Sequence, residues 1–328
     1  MDTYQKVTAT VKRLIEAFLL VMAVVVFNFF LIQMAPGDPV EVIVGEMGGA
    51  SEELIAQMRA QYGLDRPVLE QLGVYVGKVL TGDLGYSYYF NTPVTQLLLQ
   101  RLPATVLLVM SALVVAVVVG TLAGTFSARK PDGMGSHVVT VLSLVGYSAP
   151  VFWIGMMLLI LFASIWPIFP VSGMYSMRRP DGIGYYLDIL HHLVLPAVTL
   201  ATIYIAFYSR LARTSMIEVL GQDYIRTARA KGLPEGKVVW KHGLRNGLIP
   251  IVTMVGLQFG QLFAGAVLVE AVFNWPGLGR LAYDSILRRD YTTLLGILLF
   301  SAILVMIANA LTDIAYRWID PRMRKVKA

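Results

Sequence analysis

The chain contains no cysteine and few charged residues. With no cysteine among its 328 residues, disulfides, thiol chemistry and cysteine-ligated metal sites are excluded. Charged residues make up 15% of the chain, whereas globular domains average about 25%. Because 56% of the residues are hydrophobic and the mean hydropathy is +0.65, this scarcity of charge predicts an integral membrane protein.

Six apolar runs have the length and composition of membrane spans, for which about 20 apolar residues are needed. They lie at residues 14–34, 104–126, 138–165, about 193–208, 248–269 and 292–311. The fourth run is short and contains Pro196. The sequence therefore predicts an all-α integral membrane protein with six transmembrane helices and both termini on the same side.

The basic residues indicate the orientation, because they concentrate on the cytoplasmic side of membrane proteins. Most of the 27 Lys and Arg residues lie on one side if both termini are cytoplasmic. Residues 1–328 then form a single membrane domain, with residues 35–101 as an external loop containing short helices and residues 210–247 as a cytoplasmic loop. The net charge of +6 is explained by this topology, without nucleic acid as a partner.

Residues 223–250, DYIRTARAKGLPEGKVVWKHGLRNGLIP, form a basic segment between two apolar runs. Tyr224, Ile225 and Ala228 recur at helical spacing, and Gly232 predicts a positive-φ helix stop before a second short helix. Basic cytoplasmic loops are common in membrane proteins, so charge alone leaves the role of the segment open. The pair of short helices favours docking, and the basic stripe of Lys237, Lys241 and Arg245 suits an acidic protein surface or lipid headgroups.

This segment resembles the coupling loop, or EAA loop, of ABC importer permeases, in the YIRTARAKG…LRN…P form of the peptide/nickel family. Four further motifs agree with that family: PGDP at residues 36–39, GDLGYS at 82–87, FNWPGLG at 273–279 and DPRMR at 320–324. Together they resemble the B-type permease subunit of dipeptide and oligopeptide importers. Arg226, Thr227 and Ala228 stand where the general importer pattern has Glu-Ala-Ala.

The resemblance implies a type I ABC importer permease that forms the pore for peptides or similar small solutes in a bacterial inner membrane. It implies a homologous second permease, two ATP-binding subunits that hold ATP and Mg, and an extracytoplasmic solute-binding protein. The chain itself would then carry no cofactor and no ATPase site. The residues that would couple it to the ATPase are Tyr224, Arg226, Thr227, Ala228, Arg229, Lys231, Gly232 and Leu233.

Polar residues in or near the spans are candidates for the solute pathway. Gln258, Gln261 and Asn309 could hydrogen-bond a peptide in transit, or could tie helices together. A turn between the last two runs contains glycines and a proline, and it is predicted to be either part of the external mouth or a simple connector. Its residues are Trp275, Pro276, Gly277 and Gly279. Glu270 lies at a span end, where we expect ionisation to be easy, so it makes a poor proton relay.

Glycine and proline positions predict local features of the spans. The pairs Gly120/Gly124 and Gly256/Gly260 have the spacing that lets membrane helices approach closely. Pro150 and Pro250 predict kinks whose freed carbonyls need partners in the protein or in a wet cavity. In the external loop, Ser51 can cap a short helix, and residues 69–80 can form another.

No constellation of catalytic or metal-ligating residues is present. The adjacent pair His191 and His192 does not share a helical face, so it predicts no metal site. Two other functional classes require features that the sequence does not show. A secondary, ion-coupled transporter needs ionisable residues near the midplane and usually an internal repeat, and a membrane enzyme needs a paired nucleophile and base. Within the ABC class, nickel and glutathione remain alternative solutes.

The predicted orientation can be tested with single cysteines, because the chain has none of its own. We expect a cysteine replacing Gln57 to react with an impermeant thiol reagent added outside the cell. A cysteine replacing Glu235 should react only after permeabilisation. Cells are treated with the reagent, and the label carried by the subsequently purified protein measures both reactions; the reverse pattern would contradict the orientation.

Overall fold

The computed structural model of the chain describes residues 3–34, 44, 51–53, 55–56, 66–178 and 180–319. Most of its regular elements are helices, and the other two are short strands that form a hairpin. The elements are α1 (Thr3–Met34), α2 (Val68–Leu80), β1 (Tyr86–Ser87), β2 (Thr92–Pro93), α3 (Val94–Arg129), α4 (Met134–Ser148), α5 (Val151–Leu159, continued by a π-helical turn, Ile160–Ile165), α6 (Ile183–Leu220), α7 (Asp223–Ala230), α8 (Glu235–Lys237, continued by a π-helical turn, Val238–Gly243), α9 (Leu244–Val272), α10 (Leu278–Arg288) and α11 (Tyr291–Ile319).

The chain divides into two compact units, which are described separately. One unit comprises Met1–Leu102, Leu281–Ile307 and Arg324–Ala328, and the other comprises Pro103–Arg280 and Ala308–Met323. In the first unit, α2 packs on α1, and the Nδ2 atom of buried Asn28 donates a hydrogen bond to the carbonyl of Leu295 at 3.2 Å. The Asp290 carboxyl group accepts hydrogen bonds from Ser87 of β1 and from Thr293 in the first turn of α11. It thereby connects the hairpin to α11.

In the second unit, α6 is the central helix and packs against α4, α5 and α9. Its contact with α3 depends on Gly120 and Gly124. A Cβ atom added to Gly120 would lie 2.7 Å from the Tyr208 Cβ, and one added to Gly124 would lie 2.6 Å from the Ala212 Cβ. The predicted close packing at this glycine pair is confirmed. The surroundings of Gly256, in the second pair, lie outside the described residues.

Fewer helices qualify as membrane spans than the six apolar runs predicted. By length and hydropathy alone, three described helices qualify: Val94–Arg129, Ile183–Leu220 and Tyr291–Ala310. Two bent helix pairs raise the number to five, and Ile15–Leu31 within α1 is a shorter apolar helix. The described elements thus agree with an all-α membrane fold, whereas this test does not confirm the count of six.

Some boundaries differ from the prediction for identifiable reasons. The fourth span was predicted at about residues 193–208, yet α6 has 38 residues, Ile183–Leu220, with Pro196 inside it. Charged residues such as Asp188 and Arg210 end an apolar run, but they do not end a helix. The predicted helix at residues 69–80 is confirmed as α2, whereas the two-residue strands of the hairpin gave no pattern to detect.

Two further predictions concern the external loop and the proline kinks. The Ile55 amide donates to the Ser51 carbonyl at 3.1 Å, as in a first helical turn, and most of the rest of that segment lies outside the described residues. At Pro150 the predicted kink is a full break, because α4 and the helical stretch Val151–Ile165 meet at 106°. Pro250, in contrast, lies inside α9 without ending it.

The packing of α3 on α6 can be tested by adding one methyl group. We expect Gly124→Ala to lower the melting temperature of the purified protein in detergent, since overpacking costs about 1–3 kcal/mol. Gly73→Ala on α2 is the matched control, because a Cβ there meets no atom within 4 Å. A melting temperature for Gly124→Ala equal to that of the unmodified protein would contradict the close approach.

Candidate functional site

The basic segment predicted to dock a partner forms two short helices between α6 and α9. Helix α7 ends at a Schellman motif, in which the Gly232 amide donates to the Arg229 carbonyl at 2.9 Å and the Leu233 amide donates to the Ala228 carbonyl at 3.4 Å. Gly232 has φ of 73°, which confirms the predicted positive-φ stop. Pro234 then precedes α8, so four residues, from Lys231 to Pro234, separate the two helices. We call residues 223–243 the coupling loop.

The apolar face of the coupling loop is buried within this chain. Ile225, Ala228 and Val238 form a buried cluster, against which Leu220 and Leu233 pack. A neighbouring cluster joins Val239 to Met216 of α6 and Ala128 of α3. The apolar stripe, which helped to predict docking, therefore attaches the loop to its own helices and leaves a polar face outward.

Two side-chain contacts hold α7 to the elements that follow it. The Arg229 guanidinium donates to both carboxyl oxygens of Glu235, at 2.8 and 3.1 Å, across the turn at Gly232. This hydrogen bonding raises the pKa of Arg229 above its usual value. The Asn246 Nδ2 atom of α9 donates to the Tyr224 hydroxyl at 2.8 Å. The loop is thus pre-organised by one contact across its turn and one from its first helix to α9.

The predicted coupling residues separate into three groups. Ala228 and Leu233 belong to the buried cluster, and Tyr224 and Arg229 are bound to residues of the same chain. Arg226, Thr227 and Lys231 are exposed. The Arg226 side chain is 74% exposed, and its nearest carboxyl group, that of Asp223, is 3.5 Å away and 96% exposed. Such a pair contributes little, so Arg226 can bind a partner.

Helix α8 and the start of α9 extend the basic outer surface of the loop. Lys237, Lys241 and Arg245 are all exposed. The intervening turn, Val238–Gly243, is π-helical, while Val238 and Val239 on its other side are fully buried. The second helix therefore repeats the arrangement of the first, with apolar residues inward and basic residues outward.

The predicted pathway residues lie on α9 and α11. Gln258 is half-buried, and its Oε1 atom has no hydrogen-bond partner among the described residues. Gln261 and Asn309 are exposed. No hydrogen bond joins these three side chains in the described part of the chain. They remain separate candidates rather than one site.

The turn that is a candidate for the external mouth is largely buried within this unit. Trp275 is fully buried, and its Nε1 atom donates to the Ala104 carbonyl at 2.8 Å. Gly277 and Gly279 are buried as well, and a Cβ atom on either would collide with neighbouring atoms, among them the Glu270 carboxyl group. Pro276 is half-buried. The glycines serve close packing, and the role of the turn at the external mouth stays a prediction.

The Glu270 side chain, at the end of α9, lies at the centre of the contacts in this turn. The sequence predicted instead that it would lie at a solvated end of a span. Its side chain is fully buried, and it accepts hydrogen bonds from the Thr105 hydroxyl at 2.7 Å and from the amides of Gly279 and Arg280 at 2.7 and 3.0 Å. The Leu278 amide donates to the Thr105 Oγ1 atom at 2.8 Å. Glu270 thus satisfies amides in the first turn of α10 from the end of α9.

A signal for this arrangement was present in the sequence. An acidic residue precedes Trp275-Pro276-Gly277-Leu278-Gly279, whose glycines allow a close approach of backbone to side chain. Composition cannot show that the carboxyl group turns inward, because a glutamate at the end of an apolar run more often faces water.

The helical fold and the coupling loop define a class of protein. The chain has long apolar helices, and it presents a rigid basic surface on a loop outside them. This combination is that of a membrane transport subunit that works with a separate protein.

The comparisons with known proteins identify the family. Residues 116–325 match the family described as "Binding-protein-dependent transport system inner membrane component", and residues 7–109 match its N-terminal counterpart. The chain belongs to this family of membrane components. The predicted resemblance to ABC importer permeases is confirmed.

Curated relatives match over most of the chain. It is 41% identical over 324 residues to the dipeptide transport system permease protein DppB of Escherichia coli (strain K12), covering 93% of this chain and 95% of that protein. It is 42% identical over 316 residues to the di/tripeptide transport system permease protein DppB of Pseudomonas aeruginosa (strain UCBPP-PA14), covering 92% and 94%. The oligopeptide transport system permease protein AppB of Bacillus subtilis (strain 168) is 36% identical over 315 residues, covering 95% and 98%.

A solved structure supports the fold. A chain of the MetNI methionine ABC transporter, in an inward facing conformation, superposes with a TM-score of 0.54 and 18% identity, covering 69% of this chain and 97% of that chain. At this identity the likeness concerns the fold alone. The predicted type I importer permease fold is confirmed.

The role of Glu270 can be tested by removing its carboxyl group. We expect Glu270→Ala to lower the yield and the melting temperature of the purified protein, because each buried donor left without an acceptor costs about 1–3 kcal/mol. Glu218→Ala, at an exposed glutamate of α6, is the control and should behave as the unmodified protein. An unchanged melting temperature for Glu270→Ala would show that the turn does not depend on this carboxyl group.

Proposed function

We propose that this chain is the pore-forming transmembrane subunit of an ATP-binding-cassette importer that moves di- or oligopeptides, or similar small solutes, into the cytoplasm. The names of the curated relatives, which are dipeptide, di/tripeptide and oligopeptide permeases, support the peptide class. The observation that carries the proposal is the pre-organised coupling loop with its outward basic face.

The proposal includes partners that hold the nucleotide. Two ATP-binding subunits bind ATP and Mg, a homologous second permease completes the pore, and an extracytoplasmic binding protein delivers the solute. The chain lies in a bacterial inner membrane with its termini and coupling loop in the cytoplasm. The distribution of basic residues along the sequence supports this orientation.

The coupling loop transmits movement because it is attached to the helices behind it. Ile225 and Val238 are buried against residues at the end of α6, and Asn246 binds Tyr224 from the first turn of α9. When the ATP-binding subunits close, they move a rigid body rather than a flexible loop. That movement reorients α6 and α9 and changes the side from which the pore is open.

The exposed basic residues select an acidic partner surface. Arg226 replaces the glutamate of the general importer pattern, so its contact on the ATP-binding subunit is a carboxyl group. Arg229 is engaged with Glu235 and holds the loop in shape. Electrostatic matching of this kind determines the geometry and rate of docking more than its raw affinity.

An ion-coupled secondary transporter is not favoured, because the family works with a binding protein and the loop fits an external ATPase. Nickel and glutathione are alternative solutes within the same class. Competition of each with labelled dipeptide uptake, in membranes containing the assembled complex, separates them.

Coupling can be tested at the turn and at the exposed arginine. We expect Gly232→Val and Arg226→Glu each to abolish peptide-stimulated ATP hydrolysis by the purified complex, with the permease still inserted. A β-branched residue at positive φ costs about 1 kcal/mol or more and misdirects α8, while Arg226→Glu repels the acidic partner.

Gly236→Ala is the matched control for the turn, because its added Cβ meets no atom within 4 Å and the residue is exposed. The exchange Arg229→Glu with Glu235→Arg is the control for charge, since it preserves the internal pair. Stimulation at the unmodified level in both Gly232→Val and Arg226→Glu would refute the coupling role.

A further inference from the structure

The break between α4 and the following helix is the least explained feature of the spans. Met134–Ser148 and Val151–Ile165 meet at 106° at Ala149 and Pro150. Both residues have extended backbone, with ψ of 138° and 132°. The break lies near the middle of residues 138–165, which contain no charged residue, so it is at membrane depth.

The break leaves backbone carbonyls without their helical donors. Pro150 has no N–H, so the carbonyl of Gly146 loses the bond that a continuous helix would provide. The extended backbone at Ala149 and Pro150 also removes the amides that would have reached Tyr147 and Ser148. In the described part of the chain, the last bond in this ladder is that from the Ala149 amide to the Val145 carbonyl, at 3.0 Å.

Two of these carbonyls belong to residues with exposed polar side chains. Tyr147 is 57% exposed, and Ser148 is exposed beside it. The other side of α4 carries apolar residues, of which Leu142 is 66% exposed. Ser148 and Leu142 are roughly 120° apart around the helix axis. Val141, Leu144 and Val145 are exposed on the same side of α4 as Ser148. The polar groups are therefore confined to the break itself, where the backbone needs water or a polar ligand.

A cation lies at the same place. The Arg210 guanidinium of α6 is 5.4 Å from the centre of the Tyr147 ring, and Arg210 is exposed. Irregular backbone at membrane depth persists only where it is buried in protein or lines a water-filled cavity. The exposure of Tyr147 and Ser148 points to the cavity.

We propose that the break at Ala149 and Pro150 is a contact site for peptides in the translocation pathway. The carbonyls of Gly146, Tyr147 and Ser148 accept hydrogen bonds from the ammonium group or amides of the peptide, and Arg210 pairs with its carboxylate. Acceptors and a cation together fit a zwitterionic ligand. This inference rests on the function proposed above, and it adds the residues that meet the solute.

The cysteine-free chain allows a direct test in the assembled complex, reconstituted into proteoliposomes. Ser148→Cys should react with a charged methanethiosulfonate reagent, although it lies within an apolar run. Saturation with dialanine and the binding protein should slow this reaction by about tenfold, if dialanine is a transported peptide. Leu142→Cys is the matched control and should not react, because lipid covers it.

The charge of the reagent tests Arg210. At Ser148→Cys, the anionic sulfonatoethyl reagent should react roughly tenfold faster, relative to its rate with a free thiol, than the cationic trimethylammonioethyl reagent. Arg210→Gln should remove this preference while Ser148→Cys stays reactive.

Three outcomes would overturn the inference. The first is an inert Ser148→Cys in the complex when the isolated permease reacts, since the second permease would then cover the break. The second is a reaction that transported dialanine does not slow. The third is a charge preference that survives Arg210→Gln. Failure of the proposed function is visible separately, because the unmodified complex would then take up no dipeptide.

Discussion

The structure depends on one constraint: in hydrocarbon, every backbone polar group needs a partner within the protein or in an internal wet cavity. Long helices satisfy it for most of the chain. Where α9 ends and α10 begins, the Glu270 carboxyl group supplies the acceptors that the backbone lacks. At Pro150 the same requirement points to a polar ligand or water. Both irregular places thus have a physical cause, and the second of them is where we place the solute.

A different requirement applies to the coupling loop. It lies outside the spans, and it has to be both rigid and accessible. Its rigidity comes from the Schellman turn at Gly232, the internal pair of Arg229 with Glu235, and the bond between Asn246 and Tyr224. Its accessible surface is basic. Because the loop is fixed to α6 and α9, closure of partner ATPase subunits that bind it would displace these helices. A flexible loop would move without displacing them.

Much of this could be predicted from the sequence, because the underlying signals are local. Apolar runs predicted the membrane helices, glycine spacing predicted a close helix contact at Gly120 and Gly124, and Gly232 predicted the turn. Partners distant along the chain could not be predicted. Thr105 and Glu270 are 165 residues apart, and nothing in either neighbourhood indicates their hydrogen bond. The partner of Arg229 was missed because charge alone does not distinguish an internal pair from an external one.

The central claim is that the outer face of the coupling loop touches an ATP-binding subunit. A photoreactive benzoylphenylalanine at Arg226, in the purified and assembled complex, tests it most directly. The account predicts a cross-link to an ATP-binding subunit, and no such cross-link from the same residue placed at Leu142. A cross-link from Arg226 only to the second permease or the binding protein would contradict the account.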